Sequence, residues 1–286
     1  MALAAMGSDL YVGGNFVRAS GVVALRVARW NGSSWSAAGG LNYTVYALGV
    51  RGNELYAGMS QGFARWLGSS WSYAPGGGVG GSSSSVFALA AQRDHLYVGG
   101  SFTTAGSSPA NHIARWDGAN WSALGAGTDN TVYSLAASAD AVFVGGDFSK
   151  AGGATAFHVA KWEGTNWATV PGVGNRVRTL AVSGTNVFAG GDFPAAGGKV
   201  AHRVARYDGL EWSPLSIGLD GVVYNIAFRG TDTVIGGGFT SAGGNPAKRV
   251  ARWDGTNWFP MGPGFENVVH AVAVVGVDLY AGGRFT

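Results

Sequence analysis

The sequence predicts an all-β chain built from four-stranded antiparallel blades, the architecture of a β-propeller, and three residue columns predict it. The first column closes a strand with glycine: Leu10-Tyr11-Val12-Gly13-Gly14 returns at Leu55, Leu96, Val142, Val187, Thr233 and Leu279, at intervals of 45, 41, 46, 45, 46 and 46 residues. The second reads Val27-Ala28-Arg29-Trp30 and recurs at 63–66, 113–116, 159–162, 204–207 and 250–253. The third is a tryptophan five residues further on: Trp35, Trp71, Trp121, Trp167, Trp212 and Trp258. All 11 tryptophans fall in the second and third columns. A fixed period of about 40–50 residues is the mark of a repeat architecture with one four-stranded sheet per unit.

Each unit supplies four strand candidates. Strand A is the apolar run before the first column, as in Val45-Tyr46-Ala47-Leu48-Gly49-Val50. Strand B is the first column, strand C the second, and strand D begins at the third. The alternation in strand A sets Tyr46, Leu48 and Val50 on one face and Val45, Ala47 and Gly49 on the other. Both faces are apolar, so both must be covered, and neighbouring blades supply the cover. Asp117-Gly118 and Asp254-Gly255 lie between strands C and D, where a tight hairpin needs positive φ. A buried tryptophan contributes about 4–6 kcal/mol, so the tryptophan columns read as packing between blades.

The expected organisation is one propeller domain, 1–286. Its blades span 1–41, 42–81, 82–128, 129–173, 174–219 and 220–265, with a half blade at 266–286. Both ends read as cut inside the array. Seven positions are preferred over a six-blade ring because 268–286 carries ordinary core residues, Val272, Val274, Leu279 and Tyr280. A half blade would leave an edge strand open to pairing, and edge-to-edge self-association through it is expected.

Composition removes several function classes. The 19 Lys and Arg residues stand against 16 Asp and Glu, a net charge of +3 with no dense basic cluster, so nucleic acid is not expected as a partner. There is no cysteine, which excludes disulfides, thiol catalysis and Cys-based zinc sites. No apolar run is long enough for a spanning helix. Any export signal is expected to lie outside this sequence.

The glycine pair, the following strand aromatic and the tryptophan after it together resemble the kelch repeat over essentially the whole chain. They are most similar to bacterial surface and secreted proteins with Gly-Gly-x-Phe-x-x-Ala-Gly-Gly arrays. That resemblance implies a binding scaffold and an extracellular or cell-surface location. Kelch-type propellers also include copper radical oxidases, whose Tyr–Cys crosslink this chain cannot form.

Long connections, B–C and D–A, are expected on one face, which becomes the binding surface. Just before the A strands sit Asn42, Asp129, Asn130, Asn175, Asp220, Glu266 and Asn267. Such a rim of carboxylates and amides at a channel mouth suits a hard cation such as Ca²⁺, or sugar hydroxyls. The same residue types also make turns by bonding their own backbone. Blade 2 lacks the B–C insertion, since Gly58 precedes Ala64 by 6 residues where other blades have 15; a notch is expected there, lidded by the loop 76–85. His112 and His158 share a register with Arg26, Arg203 and Arg249, on strands too far apart to share a metal. The Arg/Lys of strand C is expected to be structural, its stem on apolar surface and its head on acids or carbonyls.

No nucleophile elbow, phosphate loop or metalloprotease motif is present. The leading reading is therefore a non-catalytic binding or structural module for a protein or glycan, with no resident cofactor. The alternative is a carbohydrate-active enzyme using Asp129, Asp220 or Glu266 as acid and base, which requires carboxyls about 5–10 Å apart.

Overall fold

A computed structural model describes residues 1–73 and 75–285. Six antiparallel sheets each run A–B–C–D in chain order; the first is Ala2–Met6, Asp9–Gly13, Val27–Trp30 and Trp35–Ala37. Val269–Val275 and Asp278–Gly283 form a separate two-stranded sheet. Among the described residues there is no α-helix, only a short turn of 3-10 helix at Pro75–Gly77.

Each inner strand packs against the inner strand of the next sheet, and Ala2–Met6 also packs against Val269–Val275. The glycine column explains how closely. A Cβ on Gly145 would lie 2.6 Å from Cγ1 of Val177, and one on Gly236 would lie 2.7 Å from that of Val269. The first glycine of each pair thus makes room for the leading valine of the next inner strand. From Gly100 onward the second admits a carbonyl from the D–A connection, such as that of Thr131 at Gly146. At Gly282 the same space is occupied by the thioether of Met1.

The tryptophan columns pack as expected, with Trp116 against Trp121 at 5.0 Å and Trp253 against Trp258 at 5.2 Å between ring centroids. Each outer tryptophan from Trp71 onward also ties its blade to the one before. Trp258 Nε1 donates to the Leu215 carbonyl at 2.9 Å, and Trp71, Trp121, Trp167 and Trp212 make the equivalent bond. The C–D turns take the expected geometry, with Gly118 at φ 106° and the Asp117 carboxylate accepting from the Ala119 and Asn120 amides.

Strand A departs from simple alternation. Register slips between Val45 and Ala47, and at the same place in Val86–Gln92, Val132–Ala137, Val177–Ser183, Val223–Arg229 and Val269–Val275. Each slip is a β-bulge that leaves one residue unpaired: Tyr46, Phe87, Tyr133, Arg178, Tyr224 and His270. A bulge re-aims the extra side chain. The valine stays against the glycine of the preceding blade while the following residue turns inward.

The B–C connections are not open loops. Lys150–Ala151 pairs with Ala154–Thr155 in a small hairpin, and Arg18–Ala19, Thr104–Ala105, Ala195–Ala196 and Ser241–Ala242 open equivalent ones. Blade 2 replaces its hairpin with a tight turn closed from Met59 N to the Gly62 carbonyl. The glycine- and serine-rich segment after it is tied down. Val79–Gly80 pairs with Thr104–Ala105 of blade 3, while Ser84 and Ser85 bond the Gly62 amide and the Ser60 carbonyl. The space expected as a lidded notch therefore holds serine backbone and hydroxyls.

Candidate functional site

The D–A and B–C connections share one face and are bonded to each other: Thr128 bridges Ala151, Val173 bridges Ala196 and Leu219 bridges Ala242. At the centre of this face lies a cavity of about 270 Å³ lined by residues of all seven inner strands. The six bulge residues surround its opening. Tyr46 stacks near Phe87 at 5.1 Å, Phe87 near Tyr133 at 5.4 Å, and Tyr224 near His270 at 5.0 Å. Arg178 sits 5.3 Å over the Tyr224 ring and is held at 2.9 Å by Asp192. Arg176 stands 5.2 Å over Tyr133, held by Asp147 at 2.7 Å. Burial, assisted by nearby positive charge, holds the His270 imidazole below its ordinary value, so near pH 7 it is neutral. The opening is thus aromatic, with two guanidinium groups neutralised by their own carboxylates.

The residues expected at the channel mouth stand outside this ring, three or four positions before it in sequence, and among the described residues none of the seven lines the cavity. Asp129 accepts from the Ser149 amide and hydroxyl and the Lys150 amide, at 2.8, 2.6 and 2.8 Å. Asp220 does the same with Thr240 and Ser241. Each carboxylate latches the hairpin of its own blade, and the two hold different hairpins. Burial alone would raise both carboxyls, but these hydrogen bonds outweigh it and leave them below the usual value. Asn130, Asn175 and Asn267 each accept from the next backbone amide at 2.7 to 2.8 Å. The Asn42 amide donates to the Tyr73 hydroxyl, and the exposed Glu266 meets Lys248 at 3.4 Å.

His112 and His158 share left-handed backbone with Arg26, Arg203 and Arg249. Their main chain pins the hairpin: His158 donates to the Phe148 carbonyl and accepts from the Gly146 amide. Burial lowers both imidazoles. Among the described residues no group of three His, Asp or Glu is arranged to hold a metal. The strand C cations mostly pair locally: Arg29 with Asp9, Arg65 with Glu54, Lys161 with Glu163 and Arg252 with Asp232.

Comparison with known proteins bears on the fold. Residues 92–117 match the family model described as "Domain of unknown function (DUF5122) beta-propeller". No curated protein matches. Among solved structures, the computationally designed Ika8 protein is similar at a TM-score of 0.62 with 17% identity, covering 98% of this chain and 79% of that one. The extracellular domain of a putative hybrid two-component system from B. thetaiotaomicron gives 0.65 and 12%, covering 99% and 36%. The Niastella koreensis GH74 enzyme gives 0.58 and 14%, covering 90% and 44%. The chain thus spans less than half of the last two. Family model and neighbours both support a β-propeller. At such identities the likeness concerns the fold alone. No helix among the described residues is long and apolar enough to cross a membrane.

Proposed function

We propose that the chain is a non-catalytic binding module whose ligand, a glycan or a protein segment, enters the central cavity from the face carrying the D–A and B–C connections. The observation that carries this reading is the set of six bulges. A bulge on every inner strand from Val45–Arg51 onward aims Tyr46, Phe87, Tyr133, Arg178, Tyr224 and His270 at one opening. Concave, largely aromatic sites with a few placed polar groups are where ligands bind.

The reading includes a ring of seven positions, the seventh occupied by the half blade. It is supported by the packing of Ala2–Met6 against Val269–Val275 and by Met1 taking the valine's place at Gly282. The kelch-like assignment rests on the repeat residues, and an extracellular setting rests on that likeness and on the extracellular neighbour. The enzymatic alternative has weaker support, because Asp129 and Asp220 spend their oxygens on the hairpins. No resident cofactor is assigned; calcium at the rim acids is the cation to test.

The test is a glycan array screened with and without calcium, alongside capture of protein ligands, using the parent chain and the Tyr133→Ala, Tyr224→Ala and Asp129→Ala variants. Loss of a specific ligand on truncating either tyrosine supports the cavity mouth as the site. Binding that survives both tyrosine variants sinks it, and loss in Asp129→Ala alone moves the site to the rim.

A further inference from the structure

The wall of the central cavity changes character around the ring. One residue past each bulge stand Ala47, Ala88, Ser134, Thr179, Asn225 and Ala271, and all of them line the cavity. The three polar members belong to consecutive inner strands, those of blades 4 to 6, and the other positions carry alanine. Ser134 Oγ accepts from the Leu180 amide at 2.8 Å, and Asn225 Oδ1 accepts from the Val272 amide at 3.0 Å. These bonds fix the oxygens and leave the Ser134 hydroxyl proton and the Asn225 Nδ2 hydrogens without an acceptor among the described residues. Thr179 is 4% exposed, and its hydroxyl makes no hydrogen bond among the described residues. A hydroxyl so deeply buried costs free energy unless a molecule in the cavity bonds it.

Arg178 adds charge to the same wall. It precedes Thr179, lies 5.3 Å over the Tyr224 ring, and lines both the cavity and its opening. Asp192 Oδ2 takes its Nε and Nη2, each at 2.9 Å, and Nη1 has no partner among the described residues. No Asp, Glu or Lys among the described residues lines the cavity. A negative group entering beside Arg178 therefore meets donors from three blades and no carboxylate on the wall.

We propose that the wall formed by Arg178, Thr179 and Asn225 is a subsite for the carboxylate of a hexuronic acid residue, so that the ligand of the module is an acidic glycan entering by its end. The inference rests on the cavity-mouth reading given above. An ionised carboxylate only accepts hydrogen bonds, which matches the Nη1, hydroxyl and Nδ2 donors of this wall. The sugar ring lies toward Ala47 and Ala88, whose small side chains leave it room in a cavity of about 270 Å³. Tyr46, Phe87 and Tyr133 follow one another around the opening at 5.1 and 5.4 Å and offer flat apolar faces to the next residue of the glycan. A sugar suits this arrangement better than a peptide end. Its hydroxyls radiate from one ring and both donate and accept, so they reach several converging strands, whereas an extended peptide pairs along a single edge.

The test measures binding of D-glucuronate and D-galacturonate, each against its neutral amide, to the 286-residue chain by calorimetry and saturation-transfer NMR. At least one acid is expected to bind about tenfold more tightly than its amide at neutral pH. Thr179→Val breaks no hydrogen bond within the described protein, and Arg178→Gln removes the charge. With folding checked by thermal melting, each should cut the acid's advantage to about twofold or less. Equal binding of acid and amide that is lost in Tyr133→Ala overturns the carboxylate subsite while the cavity-mouth reading stands. Acid binding that survives Tyr133→Ala and both wall variants sinks the two together. Failure of both acids to bind at about 50 mM overturns the inference. So does the tripeptide Ala-Ala-Tyr showing, against its C-terminal amide, the preference that the sugars lack.

Discussion

A Cβ placed on Gly145 would fall 2.6 Å from Cγ1 of Val177, a fully buried side chain on the next inner strand. Gly145 does not have positive φ, so its requirement is one of space and not of backbone freedom. Gly145→Ala is expected to destabilise the fold by about 1–3 kcal/mol through overpacking. In Gly145→Ala/Val177→Ala the added methyl enters the volume the valine leaves, so the double variant should lose less than the sum of the two singles. A urea-unfolding double-mutant cycle reads that coupling, and additive losses would refute the contact.

The bond from Trp258 Nε1 to the Leu215 carbonyl makes a second prediction. Trp258→Phe keeps most of the ring and removes the bond between blades, while the Leu215 carbonyl keeps the Gly218 amide at 3.1 Å, so a loss of about 0.5–1.5 kcal/mol is expected. Trp258→Ala adds a cavity between blades and should cost about 3–5 kcal/mol. A Phe variant as stable as the parent, with unchanged denaturant dependence, would show that packing alone joins these blades.

Asp129 predicts an acid dependence. Its carboxyl is held below the usual value of 3.8 in the folded chain by the Ser149 and Lys150 donors, against the opposing effect of burial. A depressed folded pKa means that the stabilisation is present above the unfolded value and is lost as pH falls through the folded one. Asp129→Asn should therefore be less stable than the parent at neutral pH, with the gap narrowing below about pH 4. Thermal melts from pH 7 to 2.5 test this. A gap constant across that range would mean that the carboxylate's charge contributes nothing to the latch.

The blade repeat could be read from residue order because it rests on large side chains in fixed columns: Trp116 and Trp121 must pack wherever they stand. The role of Gly145 was harder to see, since a glycine ending a strand looks the same whether it makes a turn or makes room for Val177. The cavity ring is hidden in the sequence for a related reason. Alternation placed Tyr46 and Tyr133 on a covered face, and only the bulge after Val45 and Val132 turns them toward the opening. Their signal was present as a recurring large residue after the column valine. Asp129 and Asp220 were found by position, but their bonding to Ser149 and Thr240 depends on hairpins that a run such as Ser149-Lys150-Ala151-Gly152-Gly153 does not announce. The serine segment of blade 2 looks like a lid in sequence because Ser85 and Ser60 are 25 residues apart and bond only in the fold.

Blade 2 supplies a last prediction. Glu54 accepts from the Tyr56 hydroxyl at 2.7 Å and from Arg51 Nη2 at 2.5 Å, and it also pairs with Arg65. Tyr56 is fully buried; burial first, and the Glu54 carboxylate second, push its phenol up to about 12. With ten tyrosines in the chain, the difference between the parent and Tyr56→Phe isolates its absorbance titration. Glu54→Gln removes the negative charge that opposes phenolate, so the isolated Tyr56 titration should move down toward its ordinary value of 10. The same substitution leaves Arg51 and Arg65 facing each other without a carboxylate, and a stability loss of about 1–3 kcal/mol is expected. The raised phenol also sets an alkaline limit. Its contribution is complete below the unfolded value near 10 and fades as pH rises toward 12, so Tyr56→Phe should flatten the alkaline loss of stability. A Tyr56 titration unmoved by Glu54→Gln would assign the whole rise to burial and remove Glu54 from the account.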